Sequence, residues 1–258
     1  CKMIFENLAI VQARTNSSRF PGKVLKKINE VPIIVFLLNR LVKSKNIDKI
    51  VLATSYEKSD DSLSKVVKSY GYQVFRGSLD DVLSRFYECS ELYKSKNIIR
   101  ITGDCPLVDP FLVDELINEF NKENWDYLSN CADENRLSVP DGFDIEIFKS
   151  DVLRIAHSKA GLSSEREHVT PWFKTIGANL HWSHYVHNPI RRFFRVTLDY
   201  PEDFEVISSI IKNLNPTKEL FSVDEVVQFL SRNPDISKKN CHFTRNFGYL
   251  KSLKEDNI

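Results

Sequence analysis

Three apolar runs, at 8–13, 47–54 and 98–102, are each followed by a segment with helical periodicity, and this alternation most constrains the fold. The segment 32–45 reads as a helix, with Pro32 in its first turn and Ile34, Leu37, Leu38 and Leu41 on one face. The segment 59–70 reads as a second, with Ser59 as N-cap and Leu63, Val66 and Val67 turned inward. A short strand follows at 72–75, then helices at 79–94 and 110–122. Strand, helix, strand, helix implies an α/β domain with a parallel sheet covered by helices on both faces. Past Trp125 the rhythm changes. Strands are expected at 127–130, 144–148 and 195–198, and helices at 152–158, 164–174, 201–214 and 222–230. Ser222 and Glu225 form a capping-box pattern at the start of the last helix. The expectation is a single domain over 1–258 with an inserted lobe at about 131–190, a place for a second substrate or a dimer contact. The polar C-terminal tail receives no element.

A net charge of +1 gives no overall basic character, which argues against nucleic acid or a membrane surface as partner. No run approaches the roughly 18 apolar residues of a membrane helix, and the N-terminal residues do not read as a secretory signal. Five cysteines without a Cys-x-x-Cys pair fit a reducing, cytoplasmic setting and offer no zinc site.

In an open α/β sheet ligands bind beyond the carboxyl ends of the strands. The first strand runs into Ala13-Arg14-Thr15-Asn16-Ser17-Ser18-Arg19-Phe20-Pro21-Gly22-Lys23, a loop of hydroxyls with three cations. Backbone N–H groups, hydroxyls and cations on one loop suit a polyphosphate, although the Walker spacing is absent. Thr54 and Ser55 end the second strand, Gly103-Asp104-Cys105-Pro106 follows the third, and Asp199-Tyr200-Pro201 follows the strand near 197. Two aspartates beside a phosphate loop suggest Mg²⁺ shared between protein and phosphate oxygens. Each piece also has a structural reading: a solvated loop, a turn, or, for Asp104 and Asp199, a helix cap. The stretch 140–146 would show Asp144 and Glu146 on one face of a strand. Glu165-Arg166-Glu167-His168 opens a helix whose acidic start suits the dipole, with His168 either structural or in contact with substrate.

These motifs resemble the cytidylyltransferases that make CMP-activated sugar acids, the CMP-Kdo and CMP-sialic acid synthetases. The similarity is greatest to the branch named after spore coat polysaccharide biosynthesis protein F. It is carried by 12–25, by Arg76-Gly77-Ser78-x-Asp80-Asp81-Val82-Leu83-x-Arg85, by 100–107, by Pro140-Asp141-Gly142-x-Asp144-x-Glu146, by 165–171 and by 195–203.

The resemblance implies a nucleotide-diphospho-sugar transferase fold, Rossmann-like and GT-A-like, usually dimeric. It implies transfer of CMP from CTP to an acidic sugar for a surface polysaccharide or lipopolysaccharide, with release of pyrophosphate. Carried over, Ala13, Arg14, Ser18, Arg19 and Lys23 would hold CTP, with Arg19 and Lys23 on its phosphates. Arg85 would reach the ribose or base, and Thr54 and Ser55 stand where CMP-Kdo synthetases carry Thr-Asp-Asp. Asp104 and Asp199 would be the Mg²⁺ ligands. Asp144, Glu146, Glu167 and His168 are the candidates for the acceptor pocket. Three other readings compete: a cytidylyltransferase with a phosphate or phosphonate acceptor, a glycosyltransferase of similar fold, and a non-catalytic nucleotide-binding protein. The glycosyltransferase would need an Asp-x-Asp motif, and only Asp104 is offered.

Overall fold

Leu8 and Ile10 belong to one buried core, and Ala9 and Val11 to another. A strand buried on both faces needs a layer of helices on each side. The computed structural model describes residues 5–175, 178–216 and 220–256. Its strands are β1 (Phe5–Gln12), β2 (Lys27–Ile28), β3 (Val31–Pro32), β4 (Lys49–Ser55), β5 (Gln73–Gly77), β6 (Ser95–Thr102), β7 (Tyr127–Ser129), β8 (Glu146–Lys149) and β9 (Trp182–His184). Its helices are α1 (Ile33–Leu41), α2 (Asp61–Ser69), α3 (Val82–Tyr93), α4 (Pro110–Glu123), α5 (Ser150–Lys159), α6 (Ser163–His168), α7 (Pro201–Leu214), α8 (Val223–Arg232), α9 (Pro234–Ser237) and α10 (Phe247–Glu255).

The main sheet has the order β5-β4-β1-β6-β8-β7-β9. Its first four strands are parallel, as the alternation implies, so their carboxyl ends share one edge. The strand β8 runs antiparallel to both β6 and β7, which makes the sheet mixed. The small pair β2–β3 stands apart. Among the described residues, no helix is long and apolar enough to cross a membrane.

Several elements differ from expectation. The stretch 131–190 threads β8 between β6 and β7, adds β9 at the edge of the main sheet and contributes α5 and α6. The expected helix at 164–174 breaks at Val169, whose φ of 71° is left-handed, and resumes as a 3₁₀ turn at Pro171–Lys174. The segment at 195–198 is extended but joins the structure through a single bridge, Asp141 to Arg195, in place of a ladder. Its backbone is held from two sides, Val196 donating to the Asp141 carbonyl (2.7 Å) and Leu198 to the Asp104 carbonyl (2.7 Å). The tail forms α9 and α10, and α10 docks on α6: the Asp256 carboxylate accepts from the N–H groups of Ser163 (3.1 Å) and Ser164 (2.9 Å).

A candidate active site beyond the parallel strands

The loop after β1 is folded onto its neighbour by one buried carboxylate. Asp60, wholly buried, accepts from the Thr15 N–H (2.7 Å), the Thr15 hydroxyl, and the Ser55 N–H (3.2 Å) and hydroxyl (2.5 Å). Burial alone would raise this carboxyl, yet the hydrogen bonds from Ser55 and Thr15 hold it below the usual aspartate range. This geometry corrects one expectation. Thr54 and Ser55 are fully buried and absent from the cavity wall, because the Ser55 hydroxyl is turned to Asp60. Ser55 serves to anchor the loop through Asp60.

The loop opens on a cavity of about 750 Å³ whose walls include Ala13, Arg14, Ser18, Arg19, Lys23 and Asp104. That volume lies in the range of small-molecule sites. The Lys23 ammonium is nearly buried and donates to the Leu198 carbonyl (2.6 Å) and to Asp199 (2.9 Å), with Asp104 3.7 Å away. Arg19 pairs with the same Asp199 oxygen at 2.7 Å, and its guanidinium carbon lies 5.1 Å from the ring centre of Tyr200. Arg14 is exposed and makes no ion pair among the described residues, which leaves its charge available to an anion. Arg85 also lines the cavity, but it is buried and donates to the backbone carbonyls of Ser78 and Leu79. It thereby fixes the loop after β5. Burial lowers its pKa to about 10.

Asp199 is met by three cations. Its second oxygen accepts from Arg195 at 3.2 Å. Arg195 in turn spans Asp203 (3.0 Å) and Asp141 (2.8 Å). Asp203 is wholly buried and also caps α7, accepting from the N–H groups of Asp199 (2.8 Å) and Tyr200 (2.9 Å). Burial acts on Asp199 against the charges and hydrogen bonds of Lys23 and Arg19; the two cations prevail and hold it down at about 2.

Asp104, Asp141 and Asp144 gather on the same wall. Burial and the charge of Asp144 push Asp141 up to about 7, with Arg245 and Arg195 opposing, and burial raises Asp144 as well. Two glycines bring these carboxylates close. A Cβ on Gly103 would lie 2.7 Å from that of Ala13, so the Asp104 turn can approach the phosphate loop only without a side chain. Gly142 has a φ of +111°, and its Cβ would lie 2.5 Å from the Thr197 nitrogen. Gly142→Ala is expected to cost about 2–4 kcal/mol, read as a lower midpoint in denaturant; an unchanged midpoint would contradict the close approach of these two segments.

The expected acceptor residues all reach the cavity, with different partners. Glu146 is buried and accepts from Tyr127 (2.6 Å), Thr170 (2.7 Å) and Arg100. Burial would raise it; Arg100 and these hydroxyls hold it below the usual range. It ties β8 to β6 and to the turn after α6. His168 lies 3.0 Å from the Ser252 hydroxyl, which donates to Glu167 (2.9 Å), and burial lowers its pKa. Sequence reading passed over Asp141, Arg195, Asp203, Asp60 and Arg245. Asp141, Arg195 and Asp203 sat inside quoted motifs; Asp60 and Arg245 gain their meaning from partners far along the chain, Thr15 and Asp144.

The donor set fits Mg²⁺ in part. Asp104 keeps a third of its side chain exposed, toward the cavity, as a ligand to a phosphate-bound ion should. Asp199 has both oxygens engaged by Arg19, Lys23 and Arg195, so it could ligate only after the loop cations had turned to phosphate. No group of three or more metal-ligating side chains occurs among the described residues.

A phosphate-type loop with two cations, facing an aspartate turn at the carboxyl ends of β1 and β6, defines a nucleotidyltransferase. Residues 8–228 match the profile of the family described as Cytidylyltransferase, and the chain belongs to that family. It is 34% identical over 237 residues to the spore coat polysaccharide biosynthesis protein SpsF of Bacillus subtilis, covering 88% of this chain and 95% of that protein. It is 27% identical over 213 residues to the 8-amino-3,8-dideoxy-manno-octulosonate cytidylyltransferase of Shewanella sp. (strain W3-18-1), covering 79% of this chain and 84% of that one. The solved structure of a cytidylyltransferase from Leptospira borgpetersenii superposes with a TM-score of 0.85 at 30% identity, covering 93% of this chain and all of the other.

Proposed function

We propose that this cytidylyltransferase is a cytoplasmic enzyme that transfers CMP from CTP to the hydroxyl of a sugar acid, with Mg²⁺, releasing pyrophosphate. The observation that carries the reading is the meeting of Arg19, Lys23 and Asp104 on one cavity wall. One relative is named for 8-amino-3,8-dideoxy-manno-octulosonate and another for spore coat polysaccharide, both consistent with an acidic sugar destined for a surface glycan.

In this reading Lys23 and Arg19 leave Asp199 to hold the β- and γ-phosphates, and Arg14 adds a third cation. The acceptor oxygen forms a bond to the α-phosphorus as the bond to pyrophosphate breaks in line, and the hydroxyl proton passes to solvent water. Catalysis is then positioning and charge neutralisation. Bound Mg²⁺, held by Asp104 and later by Asp199, would supply neutralisation at the α-phosphate. A homodimer formed through the exposed Val186, Ile190 and Phe193 completes the proposal; a single-chain mass in sedimentation would reject it.

The test is pyrophosphate release with each of the four nucleoside triphosphates, Mg²⁺, and a panel of Kdo, 8-amino-Kdo, sialic, legionaminic and pseudaminic acids. Release is expected with CTP and one acid, and loss of release on adding EDTA. If CTP neither supported turnover nor raised the melting temperature, the CTP reading would fall.

A further inference from the structure

The match to the family profile ends at residue 228, but the cavity does not. Asn246, Phe247, Gly248 and Tyr249 form part of its wall. The segment that carries them is fastened at several points. Arg245 donates to Asp144 at 2.6 Å and lies 3.7 Å from Asp141, and Asn246 donates to Glu134 at 3.0 Å. The ring of Tyr249 meets His168 edge-on at 5.2 Å, and Ser252 and Asp256 join α10 to α6. Such fastening fixes the wall in place without explaining its chemistry. Phe247 leaves half its surface exposed at a cavity otherwise rich in charge, with its ring centre 5.6 Å from the Arg19 guanidinium. Beyond that cation–π contact, a half-exposed ring keeps an apolar face that a ligand could cover. A sugar ring has one, in its C–H bonds. Gly248 marks the open space directly: a Cβ there would meet no atom within 4 Å.

We propose that Phe247, Gly248 and Tyr249 form the wall that reads the acceptor, with Arg245 as the positioning residue that fixes Asp144 beside them. This rests on the sugar-acid reading above. Phosphate-loop residues would hold the nucleotide half of the cavity, and the C-terminal segment would discriminate among acceptors.

Gly248→Leu gives the cleanest test, because Gly248 lines the cavity, a Cβ there meets no atom within 4 Å, and leucine is a better helix former than glycine. Phe247→Ala removes the exposed ring. KM for CTP and for the acceptor are measured by pyrophosphate release, using whichever acid of the panel the wild type turns over. CTP affinity is measured separately by calorimetry. The acceptor KM is expected to rise about tenfold or more in both variants, while the Gly248→Leu protein binds CTP within about twofold of wild type. Variants with wild-type acceptor KM would overturn this inference alone. A wild-type protein that binds CTP but releases pyrophosphate with no acid of the panel would overturn the sugar-acid reading and this inference with it.

Discussion

Lys23→Met is expected to lower kcat by about 10²–10³-fold while the protein stays folded. Among the described residues Lys23 is the one cation that pairs with both carboxylates, Asp199 at 2.9 Å and Asp104 at 3.7 Å. Without it Asp199 keeps Arg19 and Arg195, and Asp104, which loses its ion pair, keeps a third of its side chain exposed to water, so the loss of stability should be modest. Catalysis has no such reserve. The ammonium is held by the Leu198 carbonyl at 2.6 Å, so it is already oriented when phosphate arrives, and that preorganisation gives a fixed charge its value. Lys23→Arg should restore little, since a planar fork cannot take the place of a compact ammonium in a nearly buried site. Pyrophosphate release measures kcat, and a circular dichroism melt checks the fold. A Lys23→Met protein with wild-type kcat would remove the lysine from the mechanism.

The legible parts of this protein are those whose physics is local. The apolar runs and the Ser222–Glu225 capping box are each set by residues close in sequence and formed as read; the periodicity at 59–70 gave α2, although it starts at Asp61 behind Asp60 and not behind Ser59, and that at 164–174 broke at Val169. The loop from Ala13 to Lys23 was readable for the same reason, since its cations and hydroxyls are consecutive. The strand β8 was expected near its place in the chain, but its partner was not legible because periodicity carries no information about neighbours: nothing in Glu146–Lys149 announces an antiparallel pairing with Asn97–Arg100. Glu146 looked like a free polar residue on a strand until Arg100, 46 positions away, came to meet it. Arg245 is the extreme case. It lies 101 residues from Asp144, in a tail with no periodic signal, and only the docking of α10 on α6 brings the two together.

Asp60→Ala is the substitution expected to harm stability most, by about 3 kcal/mol or more. It would strip partners from two backbone N–H groups and two hydroxyls inside the protein, at Thr15 and Ser55. The expected fall in melting temperature is about 10 °C. The pH dependence follows from the same bonds. Because hydrogen bonding holds the folded-state carboxyl below its ordinary value, its stabilisation is complete above the unfolded-state value near about pH 4. It is lost as pH falls from there through the lower folded-state value, so wild type and Asp60→Ala should converge in stability under acid and differ fully at neutral pH. Equal melting temperatures at pH 7 would show that this carboxylate does not anchor the loop. The effect should extend to the ligand. Thr15 follows Arg14 and precedes Ser18, so a loop released from Asp60 must be ordered again each time a nucleotide binds, and CTP affinity should fall in Asp60→Ala even where the protein is still folded.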